Sequence, residues 1–579
     1  GRERSADGRL SMSKIRPQGL SPSLATATYV PSLIVQGEGV DLTGATQSTA
    51  AINTLISEAS ALGALTGRRI RVTFPDGIYL TDGILAKSNV WLDFGNALIK
   101  KASAGGTPNT NSLLRAVPVL TGDTYYGTYE NIKITGGTFT ANGFAVPAHI
   151  INLVYCEDLE MTGVTVKHDA AAATWAFCLG GRRLTLTDLQ VRDGTAVFQD
   201  GLHILHGQDI TINGGHFESG DDAIALGGEP TDADLAADPD PIRRVTINGS
   251  TVNSNRAHGL RIYVQTAANG TDWEVTDVTV RGLVGRAGVL RNGGVAVTGH
   301  LSTVDNDFMV KRITLDGITL DVGSTGHDDT NSYGMYVQAV SGLSVSDLRM
   351  QITEGSAAVT GFDYVVVRDS EDAHFDRPYH RKTLPRRYGI DARDSARVTV
   401  RNPSLRGGAA TIAVINFDDV PDAKVVGGEI TNVRNGTPGI NAITGTTTTL
   451  SVQGTTVRHA AASSSGYAVA VTAAAVPHLL LEGNDFSGAF AAADVTVLRA
   501  MTSAIVKGNR GLVDLTVPND RPFARVITGR GRLDALAAST QTLSETGAPV
   551  NGVHTPALPV TQGSPINGTF DFTEVSFLR

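Results

Sequence analysis

The chain has 579 residues with 48 basic and 57 acidic side chains, a net charge of −9, 41% hydrophobic, 18% charged and only 6% aromatic residues. It is too apolar to be disordered, and its 65 glycines, about 11% against a usual ~7%, follow no three-residue period that would make it collagen-like. No run of ~18 apolar residues predicts a membrane span, and neither the acidic balance nor any basic block favours a nucleic-acid partner.

From the N-terminus, residues 1–18 are polar and basic and hold no apolar signal-peptide core. Met12 is a candidate native start, with residues 1–11 then an added leader; the alternative reading is a mature form that has lost its signal, and residues 1–35 read as an extended arm. A helix is predicted over 47–63, with Ile52, Leu55, Ile56, Ala59 and Leu62 on one face and Gly63 as its stop. It would cover the open end of a sheet stack. A strand and turn follow from Val72 to Tyr79.

One short pattern then recurs: apolar, any, apolar, any, and Gly, Asp or Asn. It starts at Ile132, Leu159, Leu184, Ile210, Val245, Trp273, Ile313, Leu343, Val365, Val398, Ala423, Leu450, Leu479 and Ala504. Alternation at period two makes a half-buried strand, and the small or polar residue ends it at a turn. About three such strands per unit cannot bury a core alone. Stacked units ~4.8 Å apart bury a continuous apolar column. The predicted fold is all-β, a right-handed parallel β-helix of about 14 coils over residues 36–515, closed by the N-terminal helix. An antiparallel sandwich or propeller fits less well, because paired hairpin turns are missing.

Three units are expanded: Gly227–Pro241, Ala287–Asp307 and Glu371–Asp391. Long loops on a rigid scaffold are where binding tends to reside. After about residue 515 the pattern fades. Residues 516–579 read as a C-terminal cap or oligomer contact, with a short helix over Leu533–Ser544. Cys156 and Cys178 form no disulfide framework or metal-ligand spacing and read as small buried hydrophobes.

Chemistry concentrates in three similar strings: Asp200-Gly-Leu-His-Ile204, Asp222-Ala-Ile-Ala-Leu226 and His258-Gly-Leu-Arg-Ile262. Aligned on their apolar pairs, Asp200, Asp222 and His258 occupy one place in three successive coils, with Asp221 beside the middle rung. Stacked carboxylates repel, so one should have its pKa raised. A raised acid beside an ionised carboxylate is what glycoside hydrolysis requires. Side chains splaying from such a ladder would reach the ~6.5–9.5 Å of an inverting pair. An elimination mechanism would instead use Arg261 or Tyr263 near the base.

These residues resemble the polygalacturonase-type glycoside hydrolases of family 28. Their pattern is Asn-Thr-Asp, Asp-Asp, Gly-His-Gly and Arg-Ile-Lys on successive coils of a right-handed β-helix. Here stand Phe198-Gln199-Asp200-Gly201, Gly220-Asp221-Asp222-Ala223 and Ala257-His258-Gly259. The resemblance implies Asp221 as general acid and Asp200 with Asp222 as the pair that holds and deprotonates water. His258 would tune Asp221. Gln199 and Ala257 depart from the pattern, and Arg-Ile-Lys is missing; Arg291 is its nearest equivalent. Galacturonate specificity is therefore not implied. No metal or other cofactor is implied.

The opening from Gly39 to Thr43, followed by Pro75–Tyr79, is similar to that of phage tailspike depolymerases on pectate-lyase-like β-helices. That likeness implies a homotrimer, an extracellular or virion location, and a bacterial surface polysaccharide as substrate. Arg291, Arg261, Tyr263 and His203 are the candidate substrate-binding residues, with His206 and His216 scattered about the same face. Trp273, Tyr379 and Tyr388 are further candidates to stack on sugar rings. His327, Asp328 and Asp329 read as a solvated loop. The expected activity is endo-acting, inverting glycoside hydrolysis. The rivals are a polysaccharide lyase on the same fold and a non-catalytic glycan-binding adhesin or tail fibre.

Overall fold

The computed structural model describes residues 32–103, 112–116, 129–144, 149–169, 175–196, 199–227, 241–264, 273–288, 293–302, 306–323, 332–353, 362–380, 388–407, 412–433, 437–443, 447–459, 467–471, 478–486, 495–497, 503–507, 509–510, 513–517, 524–535, 543–544 and 569–577. The chain forms two compact units, one of residues 1–199 with 207–211 and one of residues 200–206 with 212–579. The fold is the all-β right-handed parallel β-helix that the repeats predict.

In the first unit, Val72, Leu92, Ile134, Met161 and Leu186 pair in turn along parallel strands. All five are fully buried. Burying each such side chain stabilises the stack by ~1.5–3 kcal/mol. The predicted helix is Thr49–Thr66, and it buries Ile52, Ile56 and Ala59. It packs on the strands Ile70–Thr73 and Ile84–Leu85. The Asn53 side chain binds both the Gly83 carbonyl and the Leu85 amide, at 2.9 and 2.8 Å.

Gly63 does not end this helix. The stop is Gly67, in the left-handed conformation at φ 63°. Gly63 is a buried contact instead, where a Cβ would lie 2.6 Å from the Asn89 carbonyl oxygen. Cys156 and Cys178 are buried thiols, and burial pushes the Cys156 pKa up to about 12.

The second unit holds three strands per coil, each in register with its counterpart in the next. In the sheet that opens each repeat, Ile247, Val280, Leu315, Val345, Phe375, Val400, Val425, Val452 and Leu481 form one unbroken ladder. All are buried. This register moves two repeat starts. Val245 pairs with Val278, so the unit assigned to Trp273 begins at Val278. Leu343 pairs with Ala373, so the unit assigned to Val365 begins at Ala373. Val365 belongs to another sheet of the coil, where it pairs with Met335 and Ile390.

That other sheet carries the chemistry and is called the site sheet below. It stacks Ile204, Leu226, Ile262, Val297, Val337 and Val367 in order. The third sheet places Ser219 beside Ser254. Short connections run from this third sheet to the site sheet: Ser219 ends one strand and Ile224 begins the next.

At the C-terminal end, the strand Ala524–Ala535 pairs in parallel with Ser503–Lys507 and Val513–Val517, and antiparallel with Thr569–Phe577. Parallel pairing therefore runs on to Ala535, where the antiparallel strand joins it. The helix predicted over Leu533–Ser544 is not formed at its described ends. Leu533 pairs with Leu515, and Leu543–Ser544 pairs with Ser576–Phe577, so ladder bonds take the place of helical ones. Residues 536–542 lie outside the described residues, as do the arm to residue 31 and, within the three expansions, residues 228–240, 289–292, 303–305 and 381–387.

Candidate active site

The strand registers set the polar ladder. Leu202 pairs with Ile224, and Ile224 with Leu260. Asp200, Asp222 and His258 each lie two residues before one of these partners, so they stack in three successive coils. Backbone bonds lock the rungs: Gly201 N–H donates to the Asp222 carbonyl at 2.8 Å, and Ala223 N–H to the His258 carbonyl at 2.9 Å. One oxygen from each of Asp200, Asp221 and Asp222 lies within 4.8 Å of the others. All three side chains are buried. The nearest oxygens are thus closer than the ~6.5–9.5 Å expected of a splayed inverting pair.

Such crowding requires compensating charge, and the neighbours of Asp222 supply it. Its Oδ1 accepts from His258 Nδ1 at 2.6 Å and from the His258 amide at 3.3 Å. Its Oδ2 accepts from Arg261 Nη1 at 3.2 Å. Burial alone would raise the Asp222 pKa. The His258 imidazole and Arg261 guanidinium outweigh it and hold the carboxyl well below the usual range. Burial likewise opposes the charge on Arg261, but Asp222, Tyr263 and Asp200 raise its pKa. The Arg261 guanidinium lies 3.8 Å above the Tyr263 ring, a cation–π contact.

Asp200 is held differently. Its Oδ1 accepts from the Asp222 amide at 3.1 Å, and its Oδ2 lies 2.9 Å from His203 Nδ1. The other nitrogen of His203 faces the Gly227 carbonyl at 2.7 Å, with the Tyr263 hydroxyl 3.4 Å away. Asp221 is positioned through its backbone. Its carbonyl accepts from Ser219 Oγ at 2.9 Å and Ser254 Oγ at 2.5 Å. Ser254 Oγ also accepts from the Ala257 amide at 3.0 Å. The same hydroxyl therefore ties the Asp221 turn to the segment that presents His258.

Of the residues singled out in the sequence, Asp200, Asp221, Asp222, His258, Arg261, Tyr263 and His203 come together here. Arg291 lies outside the described residues, as do His327, Asp328 and Asp329. His216 is not on the same face: it lies on the third sheet, half-buried, with Nε2 3.3 Å from Glu218. His206 is buried on the strand of His203, and Trp273 and Tyr388 are buried. Tyr379 is exposed, but it pairs with Arg349 on the third sheet, away from the site sheet. Ser219, Ser254 and the Gly227 carbonyl were missed. The only available signal was that both serines end an alternating strand in adjacent units.

The three carboxylates have the spacing of a hard-cation site. Asp222 and Asp200, however, already direct their oxygens at His258, Arg261, His203 and a backbone amide, which would compete with a cation. We assign no metal or cofactor to them.

A scan against protein-family models finds no match, and a search of curated proteins finds none either. Solved structures do resemble the chain. One is a family 28 exopolygalacturonase of Yersinia enterocolitica, 13% identical over 77% of this chain and 78% of that one, with a TM-score of 0.41. Another is the tailspike protein of E. coli bacteriophage HK620, in complex with a pentasaccharide, 12% identical over 95% and 93% at TM-score 0.42. A third is PfbA, a surface adhesin of Streptococcus pneumoniae, 16% identical over 66% and 92% at TM-score 0.41. These likenesses carry no residue of the site across; the fold rests on the strand registers above.

Proposed function

We propose that this protein is a polysaccharide depolymerase of the glycoside hydrolase class, acting within the chain of a bacterial surface polysaccharide or pectin-like polymer. One observation carries the reading: three buried carboxylates converge within 4.8 Å, and a histidine and an arginine on the next coil balance one of them. A scaffold that only bound sugar would have no reason to bear the cost of burying that charge.

In this account Asp221 protonates the glycosidic oxygen. Asp200 accepts the proton of the attacking water. Asp222, kept ionised by His258 and Arg261, orients that water and stabilises positive charge developing on the sugar. Tyr263 and Arg261 would contact the substrate at the edge of this cluster, and Arg291 is proposed to join them. The lyase reading is weakened because Arg261 is already committed to Asp222 and to the Tyr263 ring.

The expected stereochemical course is inversion. Retention is favoured by one observation, the short carboxylate spacing, which lies nearer the ~5–5.5 Å of a nucleophile–acid pair. Proton NMR of the first anomer released decides between them. Among the described residues no helix is long and apolar enough to cross a membrane. We place the protein outside the cell or on a virion, as a homotrimer. Light scattering of the purified protein tests the assembly.

A further inference from the structure

We infer that His203 carries an imidazolium charge at neutral pH and is the positioning residue that keeps Asp200 ionised among the three carboxylates. The inference rests on the hydrolase reading for its catalytic meaning, but not for its chemistry. His203 lies on the strand Leu202–Asn213, three residues after Asp200, and is 1% exposed.

Its two nitrogens settle the proton count. Nε2 stands 2.7 Å from the Gly227 carbonyl oxygen, which only accepts, so Nε2 carries a hydrogen. Nδ1 stands 2.9 Å from Asp200 Oδ2, so a second proton lies between imidazole and carboxyl. Asp200 already accepts a bond from the Asp222 amide on its other oxygen, which favours its carboxylate form. The second proton therefore belongs to Nδ1, and the pair is carboxylate with imidazolium.

The surrounding charges agree in sign. Asp221 and Asp222 lie within 4.8 Å of Asp200 and favour a cation beside it. Arg261, the cation on the next coil, is neutralised by Asp222 at 3.2 Å. Tyr263 faces Nε2 with a neutral hydroxyl at 3.4 Å. Gly227 holds the acceptor in place: at φ +145° a Cβ there would lie 2.1 Å from the Tyr263 carbonyl oxygen, so the carbonyl reaches His203 only from a glycine. Without His203, Asp200 would lose the cation at its Oδ2 while the other two carboxyls stay within 4.8 Å. One of the three would then hold a proton in the pH range where a base is needed.

The first test needs no substrate. In protein labelled with ¹⁵N-histidine, the His203 signals are assigned by their loss in His203→Gln and, independently, in His203→Asn. Both ring nitrogens should show imidazolium shifts up to at least pH 7.5, a unit above the ordinary ~6.5. A neutral ring at pH 7 would overturn the inference. The second test reads kcat/KM against pH on an active substrate, using whichever variant keeps the wild-type circular dichroism. Loss of His203 should move the acid limb up by one pH unit or more, a tenfold change in the proton concentration tolerated, with KM within twofold. An unmoved limb would overturn the positioning role. An imidazolium in a protein that cleaves no polysaccharide would leave the charge assignment standing and overturn the hydrolase reading alone.

Discussion

Asp222 and His258 meet across one coil, with the imidazole Nδ1 2.6 Å from the carboxylate Oδ1. Both side chains are buried, and Arg261 closes on the other carboxylate oxygen at 3.2 Å. Removing the anion leaves Arg261 in a desolvated setting with its partner gone. Asp222→Ala should cost about 3 kcal/mol of stability, from the general penalty for breaking a buried pair. Urea unfolding followed by tryptophan fluorescence measures it, and a loss under ~1 kcal/mol would mean that the pair is solvated.

The same carboxyl makes stability depend on acid. Its pKa is lower in the folded chain than its ordinary value of 3.8, so protonation favours unfolding. Its contribution is fully present above about pH 4 and fades as pH falls toward the folded value. Wild type should therefore lose stability more steeply below pH 4 than Asp222→Asn does. Thermal melts between pH 2.5 and 6 report the difference, and parallel curves would contradict it.

Ser254 is a positioning residue by its bonds to the Asp221 carbonyl and the Ala257 amide. Ser254→Ala leaves the buried Ala257 amide without this acceptor, while the Asp221 carbonyl keeps only its bond from Ser219, at a cost of about 1–3 kcal/mol. It should also lower kcat about tenfold while KM stays within twofold, because binding groups are untouched and the acid is misaimed. Ser254→Thr should recover part of kcat. Equal changes in kcat and KM would give Ser254 a different role.

Gly227 joins fold and site. Gly227→Ala forces the chain off a left-handed φ and away from the Tyr263 carbonyl, so it should destabilise by about 1–3 kcal/mol. It should also withdraw the acceptor of His203 and shift the acid limb of kcat/KM in the direction that His203→Asn does. A variant with wild-type melting and pH profile would refute that coupling.

Much of this was legible because a β-helix writes its geometry into local alternation. The place shared by Asp200, Asp222 and His258 followed from aligning the apolar pairs beside them, and the registers put those pairs side by side. The framing at Trp273 and Val365 failed for the same physical reason. Strands in all three sheets alternate, so a lone motif does not reveal which sheet it belongs to; only the ladder does. Gly63 looked like a helix stop because a glycine permits both a stop and a close contact, and only packing against Asn89 distinguishes them. The His203–Gly227 bond spans 24 residues and depends on a carbonyl, which no side-chain pattern records.

The proposed role of Asp221 as the acid of a glycosidic hydrolysis is tested directly by its removal. Wild type and Asp221→Asn should be incubated with a panel of pectins and bacterial surface polysaccharides. New reducing ends and the ultraviolet absorbance of unsaturated uronates are read together, with binding measured on the same panel. Wild type should give reducing ends without absorbance, and the variant should fall about 10²–10⁴-fold with binding retained. Absorbance rising with the reducing ends, or a variant that keeps more than a few per cent of the rate, would contradict it.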